Sequence, residues 1–554
     1  MKDLNRVKTY RNILNWNKFR LRLVWEGILS GLFAGVVIGF YRYVLQFLET
    51  NRHVVYDFLK TNDWYMTAGW FAILMIIAFI LQWLIKYEPM SGGSGIPQVN
   101  GVILGFMKMN WAKIMKAKIV GGILGIGAGL SLGREGPSIQ IGAVAAQAIS
   151  RLFGRTKMEE RYLITSGASA GLAAAFNAPL AGVIFSLEEL HHNFSAVVLL
   201  PAMAASMVAT TIINMIFGRS TIFNFGDLPA ITLNYIPQTI LLGLIIGFIG
   251  AFFNYGLIKS GELYQSKLFP NTFSRTAFAL LFAGILGFFL PEVLGGGNEL
   301  VDSLAHTPLT LQFLLVLLVS KFLFTMISYG CGVPGGFFLP MLVIGALSGS
   351  VISNIMVSVG VLDPFYSSNM IIFAMAAFFA ASVRAPITGT ILITEMTSSL
   401  EHLFPLVIVS LCAYLTAEVC KSKPIYGHLL EIALQKRKQK INSNERPSPN
   451  NNERSVIEAV VNCGSVVDGR LIKHIRWPQG TLLVDIKRGG NDLIPNGETE
   501  IRAGDYLYIL THINESEKVR NLITESKYKC PEEAYMAKLE TAEIERKIKN
   551  FNNR

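Results

Sequence analysis

Glu135 stands in Ser131-Leu132-Gly133-Arg134-Glu135-Gly136-Pro137-Ser138, a carboxylate among glycines, just before a proline and between two apolar runs. Glycine followed by proline at a first helical position is how a helix begins, so the acid falls at the positive N-terminal end of a new helix. The free N–H groups there form an anion site, which the carboxylate can occupy itself or yield to a small competing anion. Ionisable groups at membrane depth are costly and point to function; the plainer alternative is a loop glutamate capping an ordinary helix. Two further Gly/Pro breaks carry compatible chemistry. Ser91-Gly92-Gly93-Ser94-Gly95-Ile96-Pro97-Gln98 offers a hydroxyl, and Gly336-Phe337-Phe338-Leu339-Pro340 offers backbone amides. Helix-end N–H groups and a hydroxyl, with no fixed cation in contact, attract a small anion and still release it. A cation path needs carboxylate rings or rows of carbonyls, and a TVGYG-type filter is absent.

Such groups need membrane-spanning elements to hold them. The 554 residues are 51% hydrophobic and only 16% charged, with mean hydropathy +0.43, too apolar for a soluble multidomain protein. Apolar stretches long enough to span recur, among them Trp25–Leu48, Thr67–Ile85, Thr239–Leu257, Phe313–Met326 and Phe404–Val419. The expected class is an all-α polytopic membrane protein. The net charge of +11 does not indicate nucleic-acid binding, because basic residues gather at Lys2–Arg22 and again at Lys436–Lys440. By the positive-inside bias both termini are cytoplasmic, which implies an even number of crossings of the cell membrane. The first apolar run is too long for a signal peptide and lacks a small-residue cleavage site. Cys331, Cys412, Cys420, Cys463 and Cys530 are scattered, suggesting neither a disulfide framework nor zinc.

The chain echoes itself. Asn177-Ala178-Pro179-Leu180-Ala181-Gly182 returns as Arg384-Ala385-Pro386-Ile387-Thr388-Gly389, each after a small-residue run and each with a glutamate nine positions beyond its proline, Glu188 and Glu395. Pro179 and Pro386 are 207 positions apart, and the Gly133/Pro137 pair precedes Gly336/Pro340 by 203. That shared register predicts two homologous halves, about 25–217 and 236–428, within a membrane domain at 24–430 preceded by a basic helix over 1–23. Repeats broken by Gly and Pro at matching places put a binding site near mid-bilayer at their interface. Spacing alone leaves open whether the repeat is inverted or parallel, or whether packing motifs are merely duplicated.

Beyond Tyr426 the character changes. Residues 431–454 read as a polar linker, 455–525 as a small α+β cytoplasmic domain, and 526–554 as a charged helical tail. Strands are predicted at Val456–Val461, Leu482–Lys487 and Asp505–Leu510, with turns at Gly489-Gly490-Asn491-Asp492, Pro495-Asn496-Gly497 and Ala503-Gly504-Asp505. His191 and His192 are adjacent and lack H-E-x-x-H spacing, so no metal is expected there. No phosphate loop, nucleophile elbow or triad appears, and neither an enzyme nor a cofactor is expected.

Gly93-Ser94-Gly95-Ile96-Pro97, Gly133-Arg134-Glu135-Gly136-Pro137, Gly336-Phe337-Phe338-Leu339-Pro340 and Lys423-Pro424-Ile425-Tyr426 together resemble the CLC chloride channels and chloride/proton antiporters, over about residues 20–430. The resemblance implies an inverted repeat and a homodimer with one pore per subunit. It implies that Ser94, Phe337, Phe338 and Tyr426 coordinate the central chloride beside the Gly136 amide. It implies that Glu135 swings between blocking the anion path and taking an external proton. In Phe185-Ser186-Leu187-Glu188-Glu189-Leu190, Glu189 resembles the internal proton-transfer glutamate of the antiporters. An exchanger needs two proton-holding groups, one near each face, because one group cannot be open to both at once. Without the resemblance, Glu188 and Glu189 read as a hydrated helix end.

Some positions depart from the family pattern. Gln98 and Asn100 stand where many relatives carry acids, leaving Lys118 without the usual carboxylate partner. Ser94 favours chloride over nitrate, and Gly-Arg-Glu-Gly-Pro with Tyr426 argues against the fluoride-exporting branch. Residues 455–525 resemble the TrkA-C domain, through Ile486-Lys487-Arg488-Gly489-Gly490, Ile494-Pro495-Asn496-Gly497 and Ala503-Gly504-Asp505-Tyr506-Leu507. That likeness implies a module that pairs and senses a small, nucleotide-type cytoplasmic ligand, or one that dimerises without a ligand. The expected function is chloride/proton exchange. Its rivals are a passive, voltage- or ligand-gated chloride channel of the same fold and a ligand-sensing subunit of a cation transport system.

Overall fold

The structure, a computed structural model, describes residues 2–444 and 454–524 apart from loop positions 193, 220, 221, 224, 227, 267, 268, 308, 462–464, 489, 490, 513 and 514. The predicted tail at 526–554, Cys463, Cys530 and the Gly489-Gly490 turn therefore lie outside the described residues. Residues Met1–Arg437 form one compact unit and Lys438–Arg554 another.

The first unit is helical and falls into two series of eight. The first comprises α1 (Lys2–Thr61), α2 (Trp64–Tyr87), α3 (Ile96–Ile103), α4 (Trp111–Gly127), α5 (Glu135–Leu152), α6 (Lys157–Phe176), α7 (Pro179–Phe185) and α8 (Ala196–Phe217). The second comprises α9 (Ile236–Leu263), α10 (Thr272–Phe289), α11 (Asn298–His306), α12 (Leu311–Gly330), α13 (Phe338–Ser358), α14 (Ser367–Val383), α15 (Pro386–Thr397) and α16 (Leu403–Val419). Then α17 (Ile425–Asn444) follows. Each member of the first series has a counterpart at the same rank in the second, so the duplication seen in two motifs extends through the whole unit. Among the described residues nine helices are long and apolar enough to cross a membrane. Their outward faces carry Trp25, Phe40, Ile76, Phe79 and Phe248, all exposed as a lipid solvent requires.

Two expected boundaries differ. The basic segment 1–23 and the first span are one uninterrupted helix, because no glycine or proline occurs between Lys2 and Glu26 to break it. The helix entered at Ile425 runs to Asn444, through residues expected to form a linker from 431. Gln435, Lys436, Arg437, Lys438 and Gln439 are polar but good helix formers, so polarity there does not mean an irregular chain.

Close helix approach explains the small residues. A Cβ on Gly142 of α5 would strike the Gly167 carbonyl of α6, and one on Gly171 would strike the Ser138 carbonyl. Those backbones touch, which only glycine permits. Arg155, after α5, pairs with buried Glu26 of α1, tying the first helix to that layer.

The second unit is a four-stranded antiparallel sheet in the order β1-β4-β2-β3, from β1 (Arg454–Val460), β2 (Leu482–Arg488), β3 (Asn491–Leu493) and β4 (Tyr506–His512). The helix α18 (Ser516–Thr524) adds Val519 and Ile523 to a core of Ile457, Ile486, Leu507 and Ile509. Asn491 and Asp492, expected in a turn, begin β3 and pair with Arg488 and Lys487. Buried Asp505 accepts from Arg488 Nη2 at 2.7 Å and Nε at 2.8 Å, which raises the pKa of the guanidinium, and it also caps the turn through Arg502 N–H at 2.9 Å. This pair fastens β2 to the start of β4.

Candidate anion site

Three helix N-termini meet in the middle of the first unit. The breaks before α3, α5 and α13 are laced together by backbone hydrogen bonds. Gly133 N–H donates to the Gly336 carbonyl at 2.6 Å and Gly336 N–H to the Gly133 carbonyl at 2.9 Å. Gly335 N–H donates to the Gly93 carbonyl at 3.0 Å, and Gly93 N–H to the Gly332 and Val333 carbonyls at 3.2 Å. Only residues without side chains fit this crossing. A Cβ on Gly136 would lie 2.6 Å from Ser94 Oγ, and one on Gly95 would lie 2.5 Å from Gln140 Oε1.

Glu135 is the first residue of α5 and fully buried. Neither of its carboxylate oxygens makes a well-aligned hydrogen bond within the protein, and only the backbone amides of Glu135 itself and Leu339 come near them. Its Oε2 lies against Gly133, at the spot where a Cβ there would also stand 3.1 Å from the Leu339 amide nitrogen of α13. The acid thus sits between the beginnings of two helices. Ser94, 1% exposed, and Tyr426, fully buried, bring two hydroxyls that also lack partners. Phe337 caps α13 and Phe338 is its first residue. The Phe337 ring stacks on Tyr426 with centroids 5.2 Å apart, and Phe185 meets Tyr426 edge-on at 6.4 Å. Buried hydroxyls and carboxylates are seldom left unpaired, so four such atoms around one set of helix tips mark a place that takes a polar guest. The sequence-predicted residues Ser94, Glu135, Gly136, Phe337, Phe338 and Tyr426 are all brought together here.

Glu189 sits lower in sequence and apart from that crossing, in a single π-turn that continues α7 from Ser186 to His191. It is 5% exposed and no ion pair reaches it among the described residues. The Asn100 side-chain amide approaches its backbone carbonyl at 3.5 Å. Tyr426 lies within the electrostatic reach of both Glu189 and Glu135. Single π-turns inside helices occur frequently at functional sites. Glu188, its neighbour, has a different occupation. Its Oε2 accepts from Thr388 N–H at 2.8 Å and Thr388 Oγ1 at 2.7 Å, at the start of α15. Glu395 returns the contact, accepting from Leu180 N–H at 3.1 Å and Ala181 N–H at 2.8 Å at the start of α7. The two glutamates cap each other's helices.

Sequence reasoning named Lys118 but missed its counterpart, Lys321. Lys118 is fully buried and its Nζ donates to the Ser91 and Gly93 carbonyls at 2.9 and 2.7 Å. Lys321, 203 positions later, does the same to the Val293 and Gly295 carbonyls at 2.8 Å each. Lys118 thus finds carbonyls in place of the carboxylate it was expected to lack. The signal was available as lysines at the repeat's own spacing, Lys118 in α4 and Lys321 in α12. Reciprocal contacts of this kind, with equivalent residues Gly133 and Gly336 paired antiparallel, relate the halves by a two-fold axis, the symmetry that an inverted repeat needs. His191 and His192 do not converge: His192 bonds the Glu188 carbonyl at 2.9 Å, His191 lies 3.5 Å from Thr165 Oγ1, and no metal-binding group occurs among the described residues.

Residues 77–418 match the family described as voltage gated chloride channel, and 456–524 match the TrkA-C domain. The H(+)/Cl(-) exchange transporter ClcA of Vibrio cholerae is 32% identical over 455 residues, covering 79% of this chain and 95% of that protein. The protein of the same name from Vibrio vulnificus is 31% identical over 427 residues, covering 75% of this chain and 90% of that protein. Among solved structures, a slow cyanobacterial Cl-/H+ antiporter matches with TM-score 0.71 and 32% identity, over 75% of this chain and 99% of that one. A CLC-type fluoride/proton antiporter matches with TM-score 0.61 and 25% identity, over 73% of this chain and 97% of that one. With its crossing of helix tips, its inverted repeat and a family match over most of the membrane unit, the chain belongs to the voltage gated chloride channel family and carries a TrkA-C domain behind it.

Proposed function

We propose that this membrane protein exchanges chloride for protons, with Glu135 as external gate and proton acceptor and Glu189 as internal proton-transfer site. The observation that carries the reading is the Glu135 carboxylate, buried between the N-termini of α5 and α13 without a well-aligned hydrogen bond. A charged carboxylate there holds the amides an anion needs; once protonated it loses that hold and leaves them to chloride. Ser94, the amides of Gly136, Phe337 and Phe338, and the Tyr426 hydroxyl then bind the anion by hydrogen bonds alone, which lets it leave again. Glu189, buried in the π-turn that continues α7, supplies the second proton station that a channel does not need. Glu188 is engaged at the α15 N-terminus, which supports giving the proton role to Glu189 alone.

In this reading both termini are cytoplasmic, and the protein is a homodimer in the cell membrane. The TrkA-C domain pairs in the cytoplasm and responds to a small nucleotide-type ligand. Proteoliposomes holding the purified chain test the transport claim. A chloride gradient drives protons uphill in the wild type. Glu135→Ala and Glu189→Ala each lower proton movement by at least about a hundredfold, the range expected for losing a positioned acid–base group, while chloride still flows. Chloride flux with no coupled proton movement in the wild type would identify a channel. Potassium flux, with chloride flux unaffected by Glu135→Ala, would identify a cation system.

A further inference from the structure

The break that carries Ser94 has a twin. Gly93 and Gly95 adopt φ of 64° and 93°, and Gly295 and Gly297 adopt 65° and 96°. A buried lysine grips each loop through two carbonyls, Lys118 the first and Lys321 the second. The first loop opens α3 beside the anion site. The second opens α11, whose cap Gly297 makes no side-chain hydrogen bond to the helix start. The tips of α3 and α11 are therefore equivalent in backbone.

What differs is the side chain aimed at the tip. Where the first loop has Ser94, the second has Gly296, and a guanidinium from α1 comes in instead. Arg52 is 8% exposed, and its Nε and Nη1 have no hydrogen-bond partner. A Cβ on Gly295 would lie 2.8 Å from Arg52 Nη1 and 2.9 Å from Nη2, so the loop is glycine where the guanidinium presses in. Arg52, Gly297, Asn298 and Glu299 line a hollow of about 130 Å³. A buried cation with unused donors, facing uncapped helix amides, is a cradle for an anion.

The hollow adjoins the gate. Gly295 N–H donates to the Gly129 carbonyl at 3.0 Å, just ahead of the Glu135 motif. A Cβ on Gly296 would meet Leu339 at 2.7 Å, and the Leu339 amide faces the Glu135 carboxylate. Three acids also reach the hollow: Glu49, Glu292 and Glu299, the last bound to His53 Nε2 at 3.0 Å. Lys321 stands below, its Nζ 3.3 Å from where a Gly297 Cβ would be. Opposed charges keep any anion's stay brief, as a station on a transport route requires.

We infer that this hollow is a second halide site, held by the Arg52 guanidinium and the N-terminal amides of α11, through which chloride passes between the outside and the Glu135 gate. The inference rests on the exchange reading, and the test separates the two. Crystals of the full chain soaked in bromide give two anomalous peaks, one between Ser94 and Tyr426 and one in contact with Arg52 and the Asn298 amide. Arg52→Gln abolishes the second peak and keeps the first, which also reports that the variant is folded. In vesicles of one orientation, Arg52→Gln raises the KM for outside chloride about tenfold, the loss expected for one charge-assisted hydrogen bond, and moves the inside value far less. Arg52→Lys restores part of the affinity. An inner peak with no bromide at Arg52, or an outside KM unchanged in both variants, overturns the second site and leaves exchange standing. Absence of both peaks overturns both.

Discussion

The two halves of the membrane unit share a backbone and divide the chemistry unequally. Glu135 corresponds to Phe338 by the 203-residue register, and Glu189 corresponds to Met396 by the 207-residue register. Both proposed proton carriers therefore sit in the first half, while the second half puts apolar side chains at the same turns. Gly133 and Gly336, Pro137 and Pro340, and Lys118 and Lys321 are matched in kind because they build the crossing and the twin loops before α3 and α11. Duplication supplied the scaffold twice; proton chemistry was placed on one copy only. A carboxylate at both tips would set two negative charges against one cluster of amides and close the anion path.

That comparison can be broken most sharply at the helix crossings. In the first half, a Cβ on Gly142 would collide with the Gly167 carbonyl, a backbone atom. A Cβ on its counterpart Gly345 would lie 3.0 Å from Phe378 Cβ and 3.1 Å from the Ala374 carbonyl. Gly142→Ala should cost more than about 3 kcal/mol and lower the yield of folded protein, while Gly345→Ala costs about 1 kcal/mol, read by thermal unfolding in detergent. Equal losses would show that the two crossings are not packed differently. Next come the lysines. Lys118→Met and Lys321→Met each strand two carbonyls and should each cost about 2–3 kcal/mol, giving matching drops in midpoint temperature. A large inequality would mean that only one loop depends on its clamp. The smallest effect belongs to the exchanged caps. Glu188→Gln and Glu395→Gln should each cost about 1 kcal/mol and behave alike, because each removes a charge from a helix start and keeps one acceptor.

Much of this was legible in the sequence, for reasons that particular residues make plain. Glycine and proline broke the apolar runs at Gly93, Gly133 and Gly336, and the structure brings those three breaks together. The 207-residue echo was strong because Ala-Pro with a following glycine survives in both copies. The twin of the Ser94 loop went unseen because Ser94, Ile96 and Pro97 are answered by Gly296, Asn298 and Glu299, leaving only two glycines in common. A backbone shape can persist when every side chain that would reveal it has changed. The role of Glu188 was equally hidden. As one of two adjacent acids it looked like a hydrated helix end, and only the fold reveals Thr388 at its tip. The extension of α17 beyond 431 and the short β3 were lost to polarity, which marks exposure more reliably than it marks irregular chain.

The exchange of Glu188 and Glu395 has one more implication. A contact that each side makes in kind upon the other is the interface of a symmetric pair, here welded into a single polypeptide by the segment 218–235. Two separate identical partners must change together, since every substitution appears twice. Fusion lifts that restriction, so an acid can be planted at one helix tip while its mirror position keeps a hydrocarbon.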